Sequence, residues 1–337
     1  MKRSISLLLM LALLIGGFAY AGYRLGGQED EVALNLTILV SDQFGDKSFN
    51  DSAFDGGEAL KEENVNVTYI ECKGENFKQQ MMTAASNSEM VICVGWEFWE
   101  ITDVCQEFPD TKFMWMDNAV ESPEAYTNLL NVTFAQNEGS YLAGYIAAAM
   151  SGSGVIGAVG GNNDDTTNDF IVGYTQGARQ ANSSVQVLTA FADGDYNNPE
   201  LGESLANSLH AQGADIIFQI AGDTGLGVFK AAKENGFYAI GVDKDQKTEL
   251  PEYEDVILCS VKKDLGKVIY NLVTDYTREG SFEGGTVFKA GMANGYVDVV
   301  YGDKTGTQLV GDYLVAQVED FKLRIENGDV KVDSALY

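Results

Sequence analysis

Four cysteines, four prolines and a single histidine in 337 residues leave several kinds of chemistry with little material. One His cannot build a His-rich metal centre, and it leaves few routes to Ser–His or Cys–His nucleophilic catalysis. Cys72, Cys93, Cys105 and Cys259 are too few and too scattered for a disulfide framework, and none shows metal-ligand spacing. Cys93 in "MVICVG" and Cys259 in "DVILCS" lie in apolar runs, where a thiol serves as a small hydrophobe; one bridge among the four stays an open alternative. Bases are scarce too: 22 Lys and Arg against 50 Asp and Glu give a formal charge of −28. That field repels phosphate backbones and argues against a nucleic-acid partner, although its ordinary meaning is a solubilising acidic surface.

Low-complexity tracts and Ser/Pro-rich linkers are also missing, and a hydrophobic content of 45% is that of a globular chain. The length exceeds one ordinary core and suits two domains of roughly 130 to 150 residues. The one long apolar run, Ile5–Phe18, follows Met1-Lys2-Arg3-Ser4 and precedes Ala19-Tyr20-Ala21. A basic start, an apolar core and a small-x-small ending read as an export signal, residues 1–21, with an uncleaved anchor reaching to about residue 27 as the alternative. No Cys lies near it to carry a lipid.

What the chain has in plenty is alternation. Short β-branched runs predict strands at 36–40, 65–70, 90–94, 113–116, 154–159, 185–188, 215–219, 238–242 and 256–259. Amphipathic stretches between them predict helices starting near Ser48, Asn76, Phe98, Gly139, Asp169, Asn198, Gly225 and Lys263, with a last one from about Leu309 to Glu326. The rhythm restarts near residue 153, which makes two similar α/β halves of parallel sheet. Two such sheets facing each other form a cleft beyond the carboxyl ends of their strands.

Local motifs for other functions fail on context. "GSGVIG", Gly152 to Gly157, has the dinucleotide spacing, but a helix precedes it and a strand follows, the reverse of what a pyrophosphate site needs. "DGDYNN", Asp193 to Asn198, opens like a calcium loop yet has Asn198 at the obligatory Gly position and Ser204 at the bidentate Glu position. It reads as a loop entering a helix whose first turn holds Pro199 and Glu200. His210 stands at a helix end, where imidazoles cap or face solvent. No metal site, catalytic residue or cofactor is expected.

A set of polar and aromatic residues falls just past predicted strand ends: Asp42, Trp96, Asp117, Gly222 with Asp223, Asp243, and Lys262 with Lys263. Any one of them could be a helix cap or a solvated turn. Together they occupy one topological position, and acids, a Lys and aromatics there suit a small ligand with hydroxyls and a flat face.

"SDQFGDKSFNDSAFDGG", "EFPDTKFMWMDN", "YLAGYIAAAMS", "FIVGYTQGA", "QGADIIFQIAGDTGLGVFKAAKENG", "AIGVDKDQ" and "NGDVKV" resemble, in order, the blocks of the basic membrane protein family, the purine nucleoside receptor A-like substrate-binding proteins of ABC transporters. The resemblance spans nearly all of the chain after its N-terminal segment. It implies a type I periplasmic-binding-protein fold: two Rossmann-like lobes with parallel sheets, residues 33–133 plus 261–291 and 134–260 plus 292–337, joined by a three-stranded hinge. The chain is expected to exchange lobes near Asn131–Phe134, Leu258–Val261 and Ala290–Asn294.

The same resemblance implies ligand-binding roles. Phe49 stacks on a purine base, with Phe170 as the second wall, and Asn50 and Asp117 bond the base edge. Asp42 lies beside the ligand, Asp243 accepts from ribose hydroxyls, Lys263 rather than Lys262 donates to them, and Gly222 lets backbone come close. Ser48 is expected to cap the helix. The loop before Lys47 is shorter than the family's, and Gly161 to Asp169 is more acidic. The expected protein is an exported, monomeric receptor at the extracytoplasmic face of the membrane, either secreted or anchored there by its N-terminal segment, serving ABC permease subunits. A secreted nucleoside hydrolase and a receptor for a sugar or signalling molecule are the rivals.

Overall fold

In the computed structural model, residues 34–74, 76–303 and 306–336 are described. The expected export signal lies outside them. No helix among the described residues is long and apolar enough to cross a membrane.

The first sheet is built from β1 (Leu34–Ser41), β2 (Val65–Cys72), β3 (Met90–Val94), β4 (Lys112–Met116), β5 (Leu129–Phe134) and β11 (Thr286–Ala290). Its order is β11-β5-β4-β3-β1-β2, parallel throughout. The second is built from β6 (Val155–Gly160), β7 (Gln186–Phe191), β8 (Ile216–Ile220), β9 (Tyr238–Asp243), β10 (Ile257–Lys263) and β12 (Val297–Val300). Its order is β12-β10-β9-β8-β6-β7, with only β12 antiparallel to its neighbour. Each sheet reverses direction once, between β1 and β3 and between β6 and β8. Those are the switch points where open α/β sheets leave a crevice.

Period two explains how the sheets are covered on both faces. In β3, Met90, Ile92 and Val94 join the cluster under α9 (Leu265–Glu279), while Val91 and Cys93 join the one under α2 (Phe77–Ala85) and α3 (Ile101–Glu107). Helix α1 (Phe49–Lys61) packs beside α9. On the second sheet, Ile156, Ala158 and Phe218 face α4 (Gln136–Met150), α5 (Asp165–Ala181) and α10 (Asp312–Glu326). Val159, Ile217 and Ala239 face α6 (Pro199–Ala211) and α7 (Leu226–Asn235), and the short α8 (Gln246–Glu249) follows β9.

The chain leaves the first sheet after Phe134, returns after Lys263 and leaves again after Ala290. The middle exchange lies beyond the expected Leu258–Val261, because β10 stays paired with β12 as far as Lys263. Strands β5, β11 and β12 were absent from the strands that periodicity predicts. All four cysteines are buried and free, so the bridge left open above is not formed. His210 bonds the Ala214 carbonyl and stacks on Phe237, a structural role.

The α4–α5 pair begins where the chain enters the second sheet's layer, and its helices touch backbone to backbone. A methyl group at Gly177 would collide with the Tyr141 carbonyl. Gly177→Ala is therefore expected to lower the thermal midpoint by several degrees, the effect of about 2–3 kcal/mol of overpacking. An unchanged melting curve would show that the helices can part freely.

Candidate functional site

Residues just past the tips of β1, β3, β4, β8, β9 and β10 line one cleft of about 650 Å³, the size of a small-molecule pocket. All nine residues expected at a ligand line it: Asp42, Phe49, Asn50, Trp96, Asp117, Phe170, Gly222, Asp243 and Lys263.

The backbone at the tips is unusual. Asp42, Asp117 and Asp243 have φ of 73°, 67° and 64°, and Gly222 has 56°. This left-handed region is uncommon for residues other than glycine, and Asp and Asn are among those that enter it most readily. A left-handed residue at the end of a strand turns the chain sharply, so the side chain departs from the strand's alternation and heads off the tip. Three aspartates are delivered to the cleft in this way.

At its centre is Lys263, the last residue of β10, with its side chain 2% exposed. Its Nζ lies 2.5 Å from Asp117 Oδ2, and 5.0, 5.0 and 5.5 Å from the ring centres of Phe49, Phe134 and Phe170. A buried ammonium needs such an arrangement: a carboxylate for its charge and ring faces for the rest of its surface. Lys262 points elsewhere and pairs with Asp264 at 2.7 Å.

The loop from β1 to α1 corrects one expectation. Ser48 stands at the N-cap but bonds no helix amide. Asp46 takes that role, its Oδ1 accepting from the amides of Ser48 and Asp51 and its Oδ2 from that of Asn50, at 2.9–3.0 Å. Ser48 Oγ instead donates to Asp243 Oδ2 at 2.5 Å. A partner elsewhere in the fold outweighs the local cap. Asn50 is partly committed as well, since its amide nitrogen donates to the carbonyls of Ser41 and Gln43 at 3.0 and 2.9 Å. Its carbonyl oxygen is the group it has to offer a guest.

Two features escaped the sequence. Tyr196, in the loop that opens like a calcium site, lines the cleft, and its ring covers Gly161, where any side chain would collide with it. The only local sign was an aromatic two residues after Gly194, beyond a strand end. Glu97, one turn past β3, also lines the cleft and has a buried oxygen without a partner among the described residues. The acidic stretch Gly161 to Asp169 is partly explained by Asp164, which caps α5 by accepting from the Thr167 amide at 2.9 Å.

Burial dominates the electrostatics. It pushes the Asp243 carboxyl up to about 6, against the pull of Lys263 and the Ser48 hydroxyl, with Asp46 and Asp117 adding to the rise. Asp117, Glu97 and Asp223 are raised for the same leading reason.

Convergent loop residues from two parallel sheets around a polar and aromatic cleft define a solute-binding protein, and comparison with known proteins agrees. The family described as "ABC transporter substrate-binding protein PnrA-like" matches residues 33–334. Basic membrane protein A of Borreliella burgdorferi is 30% identical over 304 residues, 89% of this chain and 87% of that one. The ABC transporter solute-binding protein of Aeropyrum pernix K1 superposes with a TM-score of 0.79 at 23% identity, covering 88% of this chain and 92% of that one. A transcriptional activator of the comK gene from Bacillus halodurans superposes at 0.70 with 20% identity, over 87% and 98% of the two chains, so the fold alone does not separate transport from regulation. The chain belongs to the PnrA-like, or basic membrane protein, family of ABC transporter substrate-binding proteins, and its fold is that of the type I periplasmic binding proteins.

The raised carboxyls set a pH dependence. A carboxyl whose pKa is higher folded than unfolded stabilises the fold fully below its ordinary value, 3.8 for Asp. That contribution is lost as pH rises through about 6. The thermal midpoint of the ligand-free protein is expected to be higher at about pH 5 than at about pH 7.5, and Asp243→Asn to narrow the difference. Equal midpoints would mean that the acids at the tips are better hydrated than their burial implies.

Proposed function

We propose that this protein is the extracytoplasmic receptor of an ABC importer, closing on a purine nucleoside and handing it to the membrane permease. The reading is carried by one observation: the rings of Phe49 and Phe170 lie against the Lys263 ammonium, which bonds Asp117, with Asp243 lining the same cleft. A flat base suits the two ring faces over which the ammonium lies. A ribose suits an acid and an ammonium that can share its vicinal hydroxyls.

In this reading Phe49 and Phe170 form the walls of the base slot, with Trp96 at its mouth. Asp117 and the Asn50 carbonyl accept from the base edge, with Asp42 beside the ligand. Asp243 and Lys263 hold the sugar, and Gly222 admits it close to the backbone. Buried acceptors left unpaired by a poor ligand cost roughly 1–3 kcal/mol each, which is the source of selectivity. The lobes follow the two sheets, with the middle boundary after Lys263 rather than at residue 261, and the protein works as a monomer tethered or released by its N-terminal segment.

Among the described residues that line the cleft, nine are Asp or Glu and Lys263 is the one Lys or Arg. A nucleoside carrying phosphate would meet that field unfavourably, so transport of nucleotides is disfavoured. The hydrolase rival has less support: the acids at the centre are already bonded to Lys263 and Ser48, and the family and its structural relatives bind solutes.

Titration calorimetry with adenosine, guanosine, inosine and their 5′-monophosphates tests the proposal. Nucleosides are expected to bind and monophosphates to bind at least about a hundredfold more weakly. Binding of sugars alone would favour the second rival, and release of free base at a catalytic rate would reject the receptor reading. Phe49→Ala is expected to abolish nucleoside binding while leaving unfolding nearly unchanged. A variant that unfolds readily but still binds would return Phe49 to the core.

A further inference from the structure

The Ser48 hydroxyl has no role in starting its helix, yet it is fully buried and spans 195 residues to reach Asp243. It does not act alone. The preceding residue, Lys47, has φ of 53°, and its carbonyl accepts from Gln246 Nε2 at 3.0 Å. Gln246 is itself buried in the second sheet's layer, where its Oε1 accepts from the Val242 amide at 2.9 Å and from Gln219 Nε2 at 2.5 Å. The loop ahead of α1 is thus seated in a polar socket made by Gln219 near the end of β8, Asp243 at the end of β9 and Gln246 just beyond it. Asp46 stiffens the loop from within through its three amide bonds.

We propose that this loop is the latch of the cleft, and that Ser48 is the positioning residue that joins closure of the cleft to occupancy of Asp243. This inference rests on the nucleoside reading for its ligand, but not for its geometry. Ser48 and Lys47 belong to the first sheet's layer and Asp243 and Gln246 to the second, so both bonds exist only when the sheet tips meet. The Ser48 bond occupies one oxygen of Asp243 and orients the other. A guest hydroxyl on that free oxygen and the latch on its partner favour the same carboxylate position, so each strengthens the other's hold. Opening must break both, and the effect falls on the rate of departure rather than of arrival.

The test is stopped-flow binding of guanosine to the wild type, to Ser48→Ala and to the near-isosteric Ser48→Cys, with small-angle X-ray scattering of the same proteins free of ligand. Both variants are expected to release guanosine about tenfold faster, with association unchanged within about twofold. Their ligand-free forms are expected to scatter as more open particles than the wild type, with melting midpoints close to it. A purely structural Ser48 would lower the midpoint without a selective change in dissociation. Wild-type dissociation and scattering in folded variants would overturn the latch, and so would a loss of folding in both. If no nucleoside binds the wild type, the nucleoside reading fails, and scattering alone decides the latch: more open variants support it, and unchanged ones overturn it.

Discussion

The structure turns on one buried cation. Lys263 comes from the second sheet and Asp117 from the first, and neither charge is comfortable out of water without the other. The pair forms only where the strand tips of both sheets meet, and the rings of Phe49, Phe134 and Phe170 exclude water around it. A guest that enters has to offer this ammonium and these acids equivalent bonds. That requirement makes the centre selective, and it makes the approach of the lobes sensitive to what lies between them.

The surrounding geometry follows from parallel sheets. Each presents its strand ends to the same side, and each has a switch point where neighbouring crossovers diverge. Left-handed aspartates at three of those ends turn the chain and carry carboxylates into the gap. Burying acids there raises their proton affinity, with neighbouring carboxylates adding to the rise, so the cleft is electrostatically unfavourable when empty at neutral pH. A ligand rich in hydrogen-bond donors relieves that condition, whereas one bearing phosphate worsens it.

Much of this was legible in the sequence. Apolar period two with intervening amphipathic stretches is a strong signal, and polar residues directly after such strands mark a cleft in this fold class. The strands that escaped had weak signals: β5 carries Asn131 at its middle, β11 is a largely exposed edge, and β12 is a four-residue antiparallel return. Ser48 was expected as the cap, but its hydroxyl is drawn away by Asp243, which local sequence cannot see, and Asp46 bonds the helix amides instead. Tyr196 was hidden for a similar reason. Its importance depends on Gly161 lying beneath it, and that proximity is created only when β6 and β7 pair.

The central claim is that loop residues from both sheets enclose one flat, hydroxylated, uncharged or donor-rich guest. Mass analysis of small molecules released on denaturing the protein purified from its own cells tests this most directly. The account predicts an intact nucleoside in near-stoichiometric amount, lost from Phe49→Ala. A phosphorylated compound, or a released molecule with neither base nor sugar, would contradict it.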